Sequence, residues 1–171
     1  MEFTCHTTYN QKALTAMARA VRKTIRAKRS RMIRLYAWII TALLVVSLWL
    51  SWGNIWQTVL HCVTIIALLL IHWKEDTING YFAKRNALPG TSFADTTFYA
   101  DHYLVKTNAA ESKWQYDKIL ALAETRNYLV FVMGKNHALA LEKATLEGGS
   151  IPEFCRFIEE KSGRKMQSIG G

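Results

Sequence analysis

A long apolar stretch dominates the hydrophobic pattern of the chain. Residues 35–73 contain no Lys, Arg, Asp or Glu. A single helix of that length would extend about 60 Å, whereas the hydrocarbon core of a bilayer is about 30 Å thick. Gly53 and Asn54 interrupt the stretch near its middle. The pattern therefore predicts a transmembrane hairpin of two helices, at residues 35–52 and 55–73, because each helix pairs its own backbone groups within lipid.

The positions of the tryptophans favour the same interpretation. Trp49, Trp52 and Trp56 cluster at the break, and Trp38 and Trp73 lie near the other ends of the two spans. Aromatic rings are enriched at both interfaces of a bilayer, so these five side chains are predicted interfacial anchors. A buried hairpin outside a membrane is disfavoured, because 171 residues are too few to cover two apolar helices on every side.

His61 lies inside the second predicted span, where an imidazole can mark a proton path. The apolar stretch offers it no carboxylate partner. A hydrogen bond across the hairpin, to Thr41 or Ser47, is the simpler expectation. A small oligomeric transport or channel subunit is therefore only the third functional hypothesis.

Residues 10–34 form a predicted basic amphipathic helix in front of the first span. Its apolar residues recur at spacings of three and four, which is typical of one helical face. Three interpretations compete: the cations set membrane topology and contact anionic lipid, the apolar face packs on the rest of the protein, or the helix binds nucleic acid. The first two together are favoured, and no nucleic acid is expected as a partner. The apolar face consists of Leu14, Met17, Ala18, Val21 and Ile25.

The distribution of positive charge predicts the orientation. Residues 1–34 carry nine Lys or Arg and one acid, and the break between the spans carries no charge. Since cytoplasmic flanks are enriched in Lys and Arg, we expect a two-pass protein of the cell membrane with both termini in the cytoplasm. The predicted topology and lipid-contact residues are Arg19, Arg22, Lys23, Arg26, Lys28, Arg29, Arg31, Arg34 and Lys74.

The C-terminal half has a different pattern. After a predicted linker at residues 74–91, short apolar and alternating segments indicate an antiparallel sheet or partial barrel within residues 92–163. Ser150 and Glu153 form a predicted capping box for a closing helix that ends at Gly163. Residues 128–133 are apolar on both faces, which predicts a central strand.

The two ends of the chain complete the expected α+β architecture. Residues 1–9 also alternate and are a possible added strand of the C-terminal sheet. Residues 164–171 are expected to be a flexible tail. Residues 74–171 carry 13 basic and 12 acidic residues, so the high net charge of +9 belongs to the N-terminal arm.

Five segments of the C-terminal half resemble the YcxB-like protein family. They are residues 97–101, 112–119, 124–131, 136–143 and the helix around 153–158. The resemblance implies a bacterial membrane protein whose C-terminal domain is similar to a small pleckstrin-homology-like barrel. The motif positions that carry it are Phe98, Tyr99, Trp114, Tyr116, Ile119, Tyr128, Lys143 and Phe154.

The chain departs from the family at Glu142, where members commonly have Pro, which affects the turn at that point. The family implies no catalytic residues. The sequence itself has no phosphate-binding glycine loop, no CxxC pair and no HExxH. Its three cysteines are far apart and are predicted to be free thiols. We therefore predict no enzyme, no cofactor and no metal.

Two functional hypotheses precede the transport hypothesis. The first is a membrane-anchored protein-interaction module, scaffolding or regulatory, that binds a protein partner through a sheet edge or a groove. The second is a module that responds to anionic lipid through the basic arm. The lipid bilayer is an expected partner in both, and self-association is possible.

Overall fold

A computed structural model describes residues 2–50, 53–87 and 89–170. It shows an α+β protein with two long apolar helices and two β-sheets, one antiparallel and one mixed. The helices are α1 (Gln11–Lys23), α2 (Ala27–Leu50), α3 (Ile55–Trp73), α4 (Glu75–Arg85) and α5 (Ile151–Ser162). The strands are β1 (Phe3–Thr8), β2 (Phe93–Phe98), β3 (His102–Lys106), β4 (Glu111–Gln115), β5 (Ala121–Glu124), β6 (Tyr128–Val132), β7 (Ala138–Glu142), β8 (Leu146–Glu147) and β9 (Met166–Ser168).

The first sheet has the strand order β4-β3-β2-β1-β8, and all its pairs are antiparallel. β1 therefore joins the C-terminal sheet as the N-terminal alternation predicted, and it lies between β2 and β8. The second sheet has the order β7-β6-β5-β9, in which only β9 is parallel to its neighbour. The two sheets approach each other where the Thr7 hydroxyl accepts a hydrogen bond of 3.1 Å from the backbone N–H of Glu142.

α5 covers the aromatic core between the sheets. Phe154 of α5 is fully buried and makes edge contacts with Phe3 and Phe98, at centroid distances of 5.1 and 4.8 Å. Burial of one such side chain contributes about 1.5–3 kcal/mol. The predicted capping box is confirmed, since Ser150 and Glu153 exchange side-chain and backbone hydrogen bonds, and Gly163 ends the helix in the left-handed conformation.

α1 packs on the opposite face of the second sheet. It begins at Asn10, whose side chain accepts hydrogen bonds from two backbone N–H groups of the first turn. The docking of this arm on the rest of the protein is confirmed, and part of the predicted face takes part in it, since Val21 is buried and Met17 and Ile25 pack against the same cluster. The docked face also includes three alanines that lie outside the predicted face. The buried residues are Ala13, Ala16, Ala20 and Val21. These small side chains let the helix approach the sheet closely, which explains why every residue of β6 is buried.

Several boundaries differ from the prediction. The arm is not one helix over 10–34, because the chain turns at residues 24–26 between α1 and α2. The segment expected as a linker, 74–91, contains α4, which packs along α1. The expected flexible tail is wrong within the described residues: β9 pairs with β5, and Ile169 is buried in the α1 cluster.

Candidate functional site

α2 and α3 expose an apolar surface that none of the other described elements covers. Both are long and apolar enough to cross a membrane, and none of the described residues in their apolar windows is buried. At about 1.5 Å per residue, the 24 residues of α2 and the 19 of α3 extend about 36 and 28 Å. The exposed side chains include Trp38, Trp49, Trp56 and Trp73, while Trp52 lies outside the described residues. A large apolar surface of this kind marks a lipid or protein contact.

The hairpin contains one polar contact between its helices that the sequence anticipated. Ser47 Oγ lies 3.1 Å from His61 Nε2, which confirms one of the two predicted partners. His61 Nδ1 lies 2.6 Å from the Gln57 carbonyl oxygen, so both ring nitrogens have a partner. The other predicted partner, Thr41, instead donates to the Ala37 carbonyl oxygen of its own helix.

A cluster of charged residues joins α1 to α4, directly after the second apolar helix. The Arg22 guanidinium donates to both oxygens of Asp76, at 2.6 and 2.7 Å, and Arg19 Nε donates to the same carboxylate at 3.3 Å. The hydrogen bond to Asp76 raises the pKa of Arg22 above its ordinary value, with a smaller contribution from Glu75. We call Arg19, Arg22, Arg34, Glu75 and Asp76 the charge cluster.

Close backbone packing accompanies the charge cluster. A Cβ atom added to Gly80 of α4 would lie 2.8 Å from the Thr15 backbone nitrogen of α1. Only glycine therefore permits this approach of the two helices. Glu75 also lies 3.6 Å from the Arg34 guanidinium of α2, so α1, α2 and α4 are connected by charge on one end of the apolar hairpin.

Many of the cations that were predicted to contact lipid instead form hydrogen bonds or ion pairs with other residues of the chain. Besides the charge cluster, Lys23 donates to the Ile169 carbonyl oxygen at 2.6 Å, and Arg26 donates to the Asn136 side chain at 2.5 Å. Lys74 lies over the Trp73 ring at 5.1 Å. The predicted lipid-contact residues whose side chains remain exposed without a hydrogen bond or ion pair among the described residues are Lys28, Arg29, Arg31 and Lys74, of which Lys74 contacts the Trp73 ring.

A groove lies between α1, the start of α2, α4 and the turn between β6 and β7. We call it the arm groove; its volume is about 930 Å³. α1 contributes apolar side chains to the groove, including the half-buried Leu14 and Met17, and Met17 also packs against the cluster on the second sheet. Arg26 in the turn between α1 and α2, Arg29 in the first turn of α2 and Lys135 in the turn between β6 and β7 line the groove as well. It therefore combines apolar surface with positive charge, as a site for an anionic amphiphile would.

The family-motif positions serve mainly to build the fold. Five of them are buried, and the Tyr116 hydroxyl donates to the Tyr99 carbonyl oxygen at 2.7 Å. Lys143 Nζ lies 2.5 Å from the Glu124 carboxylate, and Trp114 is half-buried on β4. These residues are brought together as core and turn contacts and not as one ligand site. The buried positions are Phe98, Tyr116, Ile119, Tyr128 and Phe154.

In the described part of the chain, no group of three or more His, Cys, Asp or Glu side chains is arranged to hold a metal ion. Burial raises the pKa of Tyr103 and of the Cys155 thiol, which keeps both groups protonated. Neither group is thereby prepared to act as a base or a nucleophile at neutral pH.

Sequence reasoning missed α4 and therefore missed the acids of the charge cluster. The available signal was Glu75 and Asp76 at the start of the segment, with Lys84 and Arg85 at its end. That order suits a helix, because acids stabilise the N-terminus and bases the C-terminus. It was overlooked because the segment has no regular apolar face.

The family comparison agrees with the resemblance drawn from the residues. The YcxB-like protein family matches residues 98–158, from the end of β2 to α5. The recognition of this family is confirmed for that part of the chain. A comparison with curated proteins finds no match.

Proposed function

We propose that this chain is a two-pass protein of the cell membrane, with α2 and α3 as its spans and both termini in the cytoplasm. The uncovered apolar surface of the two helices supports this placement. So does the position of the cations, which flank the hairpin at the end where α1 and α4 lie. The turn at Gly53 and Asn54 carries no charge, as expected for the translocated side.

The role that we propose for the α+β part is to bind a partner protein close to the membrane, as a scaffolding or regulatory module without catalysis. The observation that carries this proposal is the edge of the first sheet at β4. Four of its five residues are exposed, and among the described residues β4 pairs only with β3, so its other edge is open. An exposed edge offers backbone N–H and C=O groups to an added strand.

The side chains of β4 restrict which strands can add. Glu111 and Lys113 place both signs of charge on the edge, which opposes indiscriminate pairing between copies of the chain. A partner strand with complementary charges satisfies them. The pleckstrin-homology-like barrel that the resemblance implies is part of this proposal, and the contact between β1 and β7 supports it.

Photo-crosslinking in the native membrane tests the partner hypothesis. A photoreactive amino acid at Lys113 of β4 should give one discrete adduct with a single protein. The matched control places the same group at Arg164, another exposed cation, outside the first sheet. Equal adducts from both positions, or no adduct from any exposed position of β4, would contradict the proposal.

A second candidate function is a response to the anionic lipid of the membrane surface. Lys28, Arg29 and Arg31 favour it, because they are exposed near the positive end of the α2 dipole, where cations are unfavourable by about 0.3–1 kcal/mol. Anionic headgroups would offset that cost. Hydrogen exchange of residues 27–31 should slow when anionic lipid is added to zwitterionic nanodiscs, and unchanged exchange would remove this candidate.

A further inference from the structure

We propose that the arm groove is a binding site for one anionic phospholipid, whose headgroup phosphate lies on Arg26, Arg29 and Lys135. This is a single stoichiometric site and not a general attraction to the membrane surface. The inference rests on the proposed membrane placement, but it does not depend on the proposed protein partner.

The charge of the groove is the first argument. Among the residues that the structure describes, no carboxylate pairs with these three cations; Arg26 donates only to the neutral Asn136 amide. Glu75 also lines the groove, but Arg22 and Arg34 lie 3.8 and 3.6 Å from its carboxylate. The acid is therefore already neutralised, and the groove keeps an excess of positive charge that a phosphate complements.

The apolar surface of the groove is the second argument. The sequence assigned Leu14, Met17 and Ala18 to the apolar face of the arm, and the sheet buries none of the three fully, although Met17 packs partly against the sheet cluster. These three side chains remain half-buried and line the groove. An acyl chain lying on them would remove apolar surface from water, which favours binding. A free phosphate ion would leave that surface uncovered.

The position of the groove is the third argument. Arg29 and Ile33 line it from the first turns of α2, and the same helix continues into the apolar span within two residues of Ile33. A lipid of the adjacent leaflet thus reaches the groove without leaving the interface. The volume of about 930 Å³ lies at the upper end of the range for ligand sites, about 300–1,000 Å³.

Native mass spectrometry of the full chain tests the site. Phosphatidylglycerol is added to the protein in detergent, and the detergent is then removed in the spectrometer. The wild type should retain one lipid adduct that persists while weaker adducts are removed. The double variant R29Q/K135Q should bind this lipid about 30-fold more weakly, which corresponds to about 2 kcal/mol for two cations. The control variant R156Q/R164Q removes the same charge from exposed positions outside the arm and the groove, and it should keep the wild-type adduct.

Competition identifies the source of the phosphate. Inorganic phosphate and glycerophosphoglycerol, which lack acyl chains, should not displace the adduct at equal concentration. Displacement by either would overturn the assignment to a lipid. If both variants lose the lipid adduct to the same extent, the lipid is held by general attraction to surface charge, and the proposed site is overturned. A wild-type protein that retains no stable adduct would overturn it as well. Thermal unfolding of each variant verifies that the fold is kept, and the result is separate from the crosslinking result at β4.

Discussion

Removal of the Asp76 carboxylate is expected to release α1 from α4. Asp76 receives two hydrogen bonds from Arg22, at 2.6 and 2.7 Å, and one from Arg19 at 3.3 Å. These contacts connect the helix that covers the second sheet to the helix that follows the second apolar helix. Loss of the carboxylate should therefore weaken the connection between the apolar hairpin and the α+β part.

The magnitude follows from the burial of the pair. The side chains of Arg22 and Asp76 are only 14% and 11% exposed. Breaking a buried ion pair by removing one partner costs about 3–5 kcal/mol, because the other charge stays desolvated. Glu75, at 3.8 Å from Arg22, compensates in part. We therefore expect Asp76→Ala to lower the free energy of unfolding by about 3 kcal/mol, at the lower end of that range.

The matched control is Asp117→Ala. Asp117 also pairs with a cation, Lys118 at 3.0 Å, but the two side chains are 62% and 59% exposed. A surface pair of this kind contributes about 0–1 kcal/mol. We expect the control to be close to the wild type.

Denaturant unfolding in detergent micelles measures both variants, and hydrogen exchange of the α1 amides reports detachment of that helix. A double-mutant cycle with Arg22→Met isolates the pairwise interaction. We expect a coupling free energy of about 2 kcal/mol and faster exchange in α1 for Asp76→Ala. Coupling below about 0.5 kcal/mol, as for an exposed pair, would refute the reasoning.

Three further changes test other parts of the account by the same unfolding measurement. Gly80→Ala should lower the free energy of unfolding by about 1–3 kcal/mol, because the new Cβ meets the α1 backbone at 2.8 Å. The control Gly134→Ala should leave stability unchanged, since its new Cβ meets nothing closer than 3.8 Å. A Gly80→Ala variant as stable as the wild type would contradict the close packing of α1 and α4. Ile169→Ala should lower the free energy of unfolding by about 2–5 kcal/mol because this side chain is buried. The control Leu120→Ala should lower it little, since Leu120 is 46% exposed. Equal effects of the two substitutions would indicate that residues 164–171 are a flexible tail after all. Backbone hydrogen bonding at the start of α5 lowers the pKa of Glu153 below the ordinary 4.5, so the stability that the carboxylate contributes is present above pH 4.5 and is lost as the pH falls through the lower pKa of the folded state. The difference in unfolding free energy between the wild type and Glu153→Gln should therefore shrink as the pH falls over that interval. A difference that stays constant with pH would contradict the role of the charge.

Local signals in the sequence were sufficient for most elements. The apolar stretch with its break at Gly53 predicted α3 and the part of α2 after residue 34, because an uninterrupted helix over 35–73 would be about 60 Å long. The start of α2 at Ala27, inside the predicted arm, was not predicted. The Ser150 and Glu153 cap defined the start of α5, because its hydrogen bonds involve neighbouring residues only. The two-sided apolar pattern of residues 128–132 also indicated that something covers both faces of β6.

The contacts between distant segments could not be predicted in the same way. Alternation in β9 is too short to distinguish a strand from a tail, and its pairing with β5 depends on where α5 ends. The face of α1 that docks is set by close approach, which favours Ala13, Ala16 and Ala20 over larger side chains. The charge cluster could not be predicted without α4, because its acidic residues come close to α1 only after α2 and α3 have brought the chain back to the end of the hairpin where α1 lies.

Sidedness of labelling tests the membrane placement most directly. In a variant without native cysteines, single cysteines are introduced at Ile55, next to the turn between α2 and α3, and at Asn136, in the turn between β6 and β7; both positions are exposed. A membrane-impermeant thiol reagent added to intact cells should label the cysteine at position 55, and should label that at 136 only after the membrane is opened. Labelling of position 136 in intact cells, or of neither position until the membrane is opened, would contradict a hairpin with both termini in the cytoplasm.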